Sequence, residues 1–148
     1  MTSYDKVFQA FLSKISDPIY LQMEHALAQE DMISLMDAAI FNFPYSKVNL
    51  KAKDDESMKF DNELGLDEIQ LLSHLMVLEW QSRVLRDIDS LKQRMTTREF
   101  RTFSAANHIN SLIASEKLQR KKVKDMKIKY SMYDNNGSRI GVLGGKNS

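Results

Sequence analysis

Apolar residues at Tyr4, Val7, Phe8, Phe11, Leu12 and Ile15 keep the three-and-four spacing that lines one face of a helix. Ser3 stands where an N-cap belongs, and Asp17-Pro18 marks the stop. A second helical stretch is predicted from near Pro18, with a break around Gln29, through Met32, Ile33, Met36, Ala39 and Ile40 to Phe43, where Pro44 ends it. From Lys47 the period drops to two. Val48, Leu50 and Ala52 alternate with polar residues, as do Met58 and Phe60, and between them lies the acidic run Asp54, Asp55, Glu56. A β-hairpin insert near 47–61 is expected, with a loop as the competing possibility because its strands are short and poor in β-branched residues.

After Gly65, Asp67 and Gln70 make a capping-box pattern, and a long helix is predicted behind it. Ile69, Leu72, Leu75, Met76, Leu85, Ile88, Leu91 and Met95 form its stripe. Leu71, Val77, Leu78, Trp80 and Val84 widen that stripe until the first half is apolar on most sides, the mark of a central helix. Thr96 and Glu99 repeat the capping pattern, and Phe100, Phe103, Ala106, Ile109, Leu112 and Ile113 give the next helix its buried face. Beyond Glu116 only Leu118, Val123, Met126 and Ile128 are apolar within EKLQRKKVKDMKIK, a stripe sparse enough to cover one side of a neighbour and no more. The chain ends in YSMYDNNGSRIGVLGGKNS, where Asn136-Gly137 signals a turn between Tyr130, Met132, Tyr133 and Ile140, Val142, Leu143. The predicted architecture is mainly α: a helical bundle with two long C-terminal helices, a small β-hairpin insert and an extended C-terminal arm. Residues 1–116 form the helical body, and residues 117–148 the basic helix extension and arm.

A chain of 148 residues is about one domain long and buries a core without staples. It contains no Cys, which removes disulfides, thiolate metal sites and cysteine nucleophiles together. The N-terminus lacks the apolar run of a secretory signal, and no stretch is apolar for long enough to span a bilayer, so synthesis in a cytoplasm and no membrane partner are expected. The formal charge of +1 conceals a polarity. Residues 1–116 hold 12 basic and 18 acidic groups, a balance of −6, whereas residues 117–148 hold 9 basic and 2 acidic, a balance of +7. Such a tail points at an anionic partner.

Catalytic and metal chemistry find little to work with. His25, His74 and His108 are far apart and lack acid or His partners at ligand spacing, so packing or surface roles are expected for them. No Gly-x-Ser-x-Gly elbow is present, and the glycines at Gly141, Gly144 and Gly145 lack the Lys-Ser or Lys-Thr of a phosphate loop. Asp134 to Gly137 resembles part of a calcium loop, but the distal Glu is missing and a plain turn is expected. Asp54, Asp55 and Glu56 are expected at a solvated hairpin tip, since adjacent acids on a strand point apart. No enzyme activity, cofactor or metal is expected.

The basic segment asks for an explanation. Lys117, Arg120, Lys121, Lys122, Lys124, Lys127 and Lys129 occupy several faces of a helix, which suits diffuse attraction and not base-edge recognition. Three roles stay open: a solvated face, docking on a partner protein, and contact with nucleic acid. Tyr130 and Tyr133 suit base stacking and the anchoring of an arm equally. The partner-binding set comprises Arg120, Lys121, Lys124, Lys127, Lys129, Tyr130, Tyr133, Arg139, Ile140, Val142 and Leu143.

The segments DKVFQAFLSKISDP, QEDMISLMDAAIFNFP, LGLDEIQLLSHLMVLEWQSRVL and TTREFRTFSAANHINSLI, in this order and with an acidic insert and a C-terminal arm, resemble the head-to-tail connector, or adaptor, proteins of tailed bacteriophages. The resemblance covers most of residues 5–113 and lies in organisation, since such proteins share no short motif. It implies a virion protein of the neck, between capsid and tail, assembled in the host cytoplasm. The protein would form a ring, commonly of twelve copies, beneath the portal protein and receive the next neck or tail component below. The arm would dock on the portal or a neighbouring subunit, and the tip at Asp54, Asp55 and Glu56 would face the channel. The alternative is a small helical nucleic-acid-binding or regulatory protein that uses the basic C-terminal segment on phosphates, including non-specific contact with DNA.

Overall fold

A computed structural model of the chain describes residues 1–15, 19–94 and 106–133. Strand β1 (Thr2–Ser3) leads directly into helix α1 (Tyr4–Leu12), whose first turn is capped by the Ser3 hydroxyl accepting from the Asp5 amide at 3.2 Å. Tyr4, Val7, Phe8 and Phe11 are the buried face, as the spacing predicts. A short helix α2 (Ile19–Gln22) and helix α3 (His25–Phe41) follow. The expected break therefore lies at Met23–Glu24 and not at Gln29, which sits inside α3. Asn42 closes α3. Its side-chain Nδ2 donates to Ala38 O at 3.1 Å and to Glu79 Oε1 at 2.9 Å, and Pro44 stands just beyond.

The insert is a hairpin. Strands β2 (Lys53–Asp54) and β3 (Lys59–Phe60) pair antiparallel with Lys53 opposite Phe60. Asp54 organises the turn, accepting from the Glu56 amide and from the Ser57 hydroxyl and amide, while Met58 takes a φ of 55° in the left-handed region. The sheet has a third member that the sequence pattern does not announce: β1 lies on the other side of β3, Thr2 opposite Phe60, giving the order β1-β3-β2. Thr2 is fully buried there. Its hydroxyl donates to Asn62 O at 3.2 Å and accepts from the Leu64 amide at 2.9 Å.

Helix α4 (Leu66–Arg94) is the pillar against which α1, α3 and the last helix, α5 (Ala106–Ser131), all pack. Leu71 to Val77 are buried without interruption, so this stretch has no solvent face, and from Leu78 to Leu85 the helix is half-buried. The helix already includes Asp67 in its first turn, so Gly65 and not Asp67 stands at its start. Two long C-terminal helices are present as predicted. Ile113 is exposed instead of buried, and so are Leu118 and Ile128. Helix α1 ends at Leu12 with Ser13 as its C-cap, short of the expected stop at Asp17-Pro18, so Ile15 lies beyond the helix. The capping pair Thr96 and Glu99, Phe100, Phe103 and the C-terminal arm with Arg139, Ile140, Val142 and Leu143 lie outside the described residues.

Candidate functional site

Helix α5 has two sides of opposite character. Gln119, Val123, Met126 and Tyr130 recur at four, three and four residues and lie on the inner side, with Val123 and Tyr130 buried. Gln119 Nε2 donates to His74 O at 2.9 Å and sits 3.0 Å from His74 Nδ1, while Gln81 Nε2 donates to Ser115 Oγ at 3.0 Å, which fixes α5 antiparallel along α4. His74 is buried. Desolvation first, then the charges of Lys122 and Lys14, push its pKa down to about 4, so the ring is neutral near pH 7 and fills the packing role expected for it.

Tyr130, expected to meet a partner, is taken up by the chain's own body. Its hydroxyl donates to the buried Glu68 carboxylate at 3.0 Å and accepts from the Lys47 amide at 2.9 Å. Lys47 Nζ donates to Tyr130 O at 2.9 Å and lies 4.3 Å from the ring centroid, and Phe43 meets the ring edge-on at 5.2 Å. The side chain is buried and its hydroxyl engaged within the chain itself. Tyr133, three residues on, is 38% exposed and borders a cleft with Asp67, Gln70, Met126 and Lys129. Glu68, Lys47 and Gln119 are the residues sequence reasoning passed over; Glu68 follows Asp67 in the first turn of α4, and nothing in the pattern marks it as the buried one of the two.

The outer side of α5 is a field of positive charge. Lys117, Lys121, Lys122, Lys124 and Lys129 are exposed and Lys127 is half-exposed, and none of the six makes an ion pair or hydrogen bond among the described residues. Arg120 is paired with Glu116 one turn earlier. Asp125 is the one acid between Lys117 and Lys129. Lys14 of α1 adds to the field: its ammonium donates to Ala10 O at 2.9 Å, and its pKa is lowered by burial and then by the like charge of Lys122. The six lysines do not form one stripe. Lys124 and Lys127 border a cleft against Glu79 and Ser82 of α4, whereas Lys122 and Lys129 lie with Leu118 and Met126 around a separate one.

The three acids of the hairpin are brought together in sequence but not in function. Asp54 is occupied by its own turn, and the Ser57 hydroxyl and the Glu56 amide hold its carboxyl below the usual range. Asp55 accepts at 2.6 Å from both the Tyr4 hydroxyl and Lys53 Nζ, and the lysine first, then the tyrosine, depress its pKa. Lys53 also reaches Asp37 at 2.9 Å; burial works against its charge, but the two carboxylates outweigh it and the pKa is raised. Burial and the bond to Asp55 raise the Tyr4 pKa in turn. Glu56 is exposed and its carboxylate makes no hydrogen bond or ion pair among the described residues, unlike those of Asp54 and Asp55.

No group of three His, Asp or Glu able to hold a metal ion occurs among the described residues, and no described helix is long and apolar enough to cross a membrane. Comparison with family models, curated proteins and solved structures finds no match to this chain.

Proposed function

We propose that this chain is a structural subunit of the tailed-bacteriophage neck, a head-to-tail connector that joins the portal to the next neck or tail component as a ring of subunits, commonly twelve, and catalyses no reaction. The organisation of the chain supports this, and one surface carries it. Phe41, at the end of α3, and Tyr45, just past Pro44, are 80% and 87% exposed, although Tyr4, Phe8, Phe11, Tyr20, Phe43 and Phe60 are all buried. Aromatic side chains held in water at a helix end suit the centre of a protein interface. A closed ring needs two unlike, complementary surfaces on each subunit. The apolar corner at Phe41 and Tyr45 would supply one of them, and the arm beyond Tyr133 would dock on the portal or a neighbour.

Light scattering of the chain alone and mixed with purified portal rings tests this. A subunit that joins portal rings, with Phe41→Asp and Tyr45→Asp together abolishing the association while circular dichroism is unchanged, is the expected result. A chain that stays apart from portal rings at every ratio overturns it.

A further inference from the structure

We propose that the outer side of α5 binds duplex DNA through its phosphate backbone, the helix seated in the major groove with lysines on both of its flanks meeting the two phosphate strands. The inference concerns one helix of one subunit and does not depend on ring formation.

Three observations carry it. The first is uncompensated charge: six lysines stand within 13 residues, with no ion pair among the described residues and only Asp125 interspersed. The field reaches Lys14 of α1, whose pKa is lowered by burial and then by the like charge of Lys122. An anionic partner relieves such repulsion.

The second is the arrangement of the charge. At about 100° per residue, Lys117, Lys124 and Lys127 fall to one side of the ridge through Lys121, and Lys122 and Lys129 to the other. Lys124 and Lys127 border one cleft, and Lys122 and Lys129 border another together with Lys121 and Asp125. An acidic protein face would engage one flank. Phosphates on both sides of a groove engage two, and a helix about 10–12 Å across with its side chains fits a major groove about 12 Å wide. The third is the presentation of the helix: between Lys117 and Lys129 only Val123 is buried, so α5 stands on the body with most of its circumference in solvent.

The residue types set the kind of binding. Lysine is a point charge without the planar fork that reads guanine, and Arg120 is engaged by Glu116. Binding is therefore insensitive to sequence, and each lysine contact contributes about −0.9 to the slope of log K against log salt.

The test is a titration of the full chain with two duplexes of unrelated sequence at several salt concentrations. About four or five contacts predict a loss of affinity on the order of 10²–10³-fold between about 50 and 200 mM salt, equal for both duplexes. Lys117→Gln, Lys121→Gln and Lys124→Gln together should flatten the slope by about 2–3, and Lys122→Gln with Lys129→Gln by about 1–2. Removing unpaired like charges does not endanger the fold, and Lys51→Gln with Lys59→Gln, on the hairpin side, should leave the slope unchanged. The proposal is overturned by an absence of duplex binding, by a slope that survives both sets of variants, by dependence on one flank alone, or by polyglutamate binding more tightly than duplex at equal salt.

Discussion

The Tyr130 hydroxyl donates to Glu68 Oε1 at 3.0 Å inside the fold, tying the last turn of α5 to the first turn of α4. Because the same oxygen accepts from the Lys47 amide, one phenol joins three segments that are distant in the chain. Tyr130→Phe leaves a buried carboxylate and an amide each short of a partner and should cost about 1–3 kcal/mol. For a chain of this length that is a fall of roughly 3–10 °C in thermal midpoint. Tyr130→Ala, which also empties the space against Phe43, should cost about 3–5 kcal/mol. In a double-mutant cycle Tyr130→Phe and Glu68→Gln should couple by at least about 0.5 kcal/mol; strict additivity would show that the bond is not energetically made.

The depressed pKa of His74 makes stability depend on acid. Its folded value, about 4, lies below the unfolded value of 6.5, so the unfolded chain binds the extra proton between the two. Stability therefore rises with pH through that window and is lost on acidification. Between about pH 7.5 and about pH 5 the loss attributable to this ring is about 2 kcal/mol. Urea midpoints at the two pH values measure it. His74→Gln should remove most of the difference, and an unchanged difference would assign the effect elsewhere.

Lys53 holds Asp37 and Asp55 at once, with only 14% of its side chain exposed. Lys53→Met keeps the stem and removes the charge, at a cost of about 1–3 kcal/mol. The Asp55 carboxyl, now held below its ordinary range, should titrate higher in the variant. In the native chain its contribution is present above the unfolded carboxylate pKa and disappears as pH falls through the depressed one. Carbon-detected NMR of the Asp55 carboxyl across the acid range follows both. No upward movement would mean that Tyr4 alone sets its acidity.

Thr2→Val nearly preserves the shape of a fully buried side chain while removing the hydroxyl shared by Asn62 O and the Leu64 amide. The stranded amide should cost about 1–3 kcal/mol, measured as a lower urea midpoint with an unchanged denaturant slope. A neutral result would mean that water reaches the Leu64 amide.

The helices whose apolar residues all face one neighbour were legible in the sequence. Tyr4, Val7, Phe8 and Phe11 fall on the buried side of α1, and Leu71, Leu72, Leu75, Met76 and Val77 make α4 central, because periodicity reports burial directly where burial is apolar. Strand β1 was not legible, since two residues have no period; it is fixed by β3, more than fifty residues away. The inner stripe of α5 was misjudged for a different reason. Leu118 and Ile128 were counted because they are apolar, yet they face solvent, while Gln119 and Tyr130 complete the stripe through hydrogen bonds to His74 and Glu68. Hydrophobicity is blind to polar side chains whose partners come from elsewhere in the fold. The charge of the outer side and its division into two flanks could be read from composition and helical spacing; that Lys124 and Lys127 border a cleft against α4 required the helix to be placed.

Helix α4 changes its surroundings without changing its course, from a stretch at Leu71–Val77 enclosed on every side to a half-covered one at Leu78–Leu85. Its backbone amides are therefore not equally reachable. Those of the enclosed stretch meet deuterium when α1, α3 and α5 let go together, so their exchange reports the opening of the whole molecule, while those farther along, held by Asn42 at Glu79, by Asp31 at Arg83 and by Ser115 at Gln81, report smaller openings. One continuous helix thus keeps two clocks.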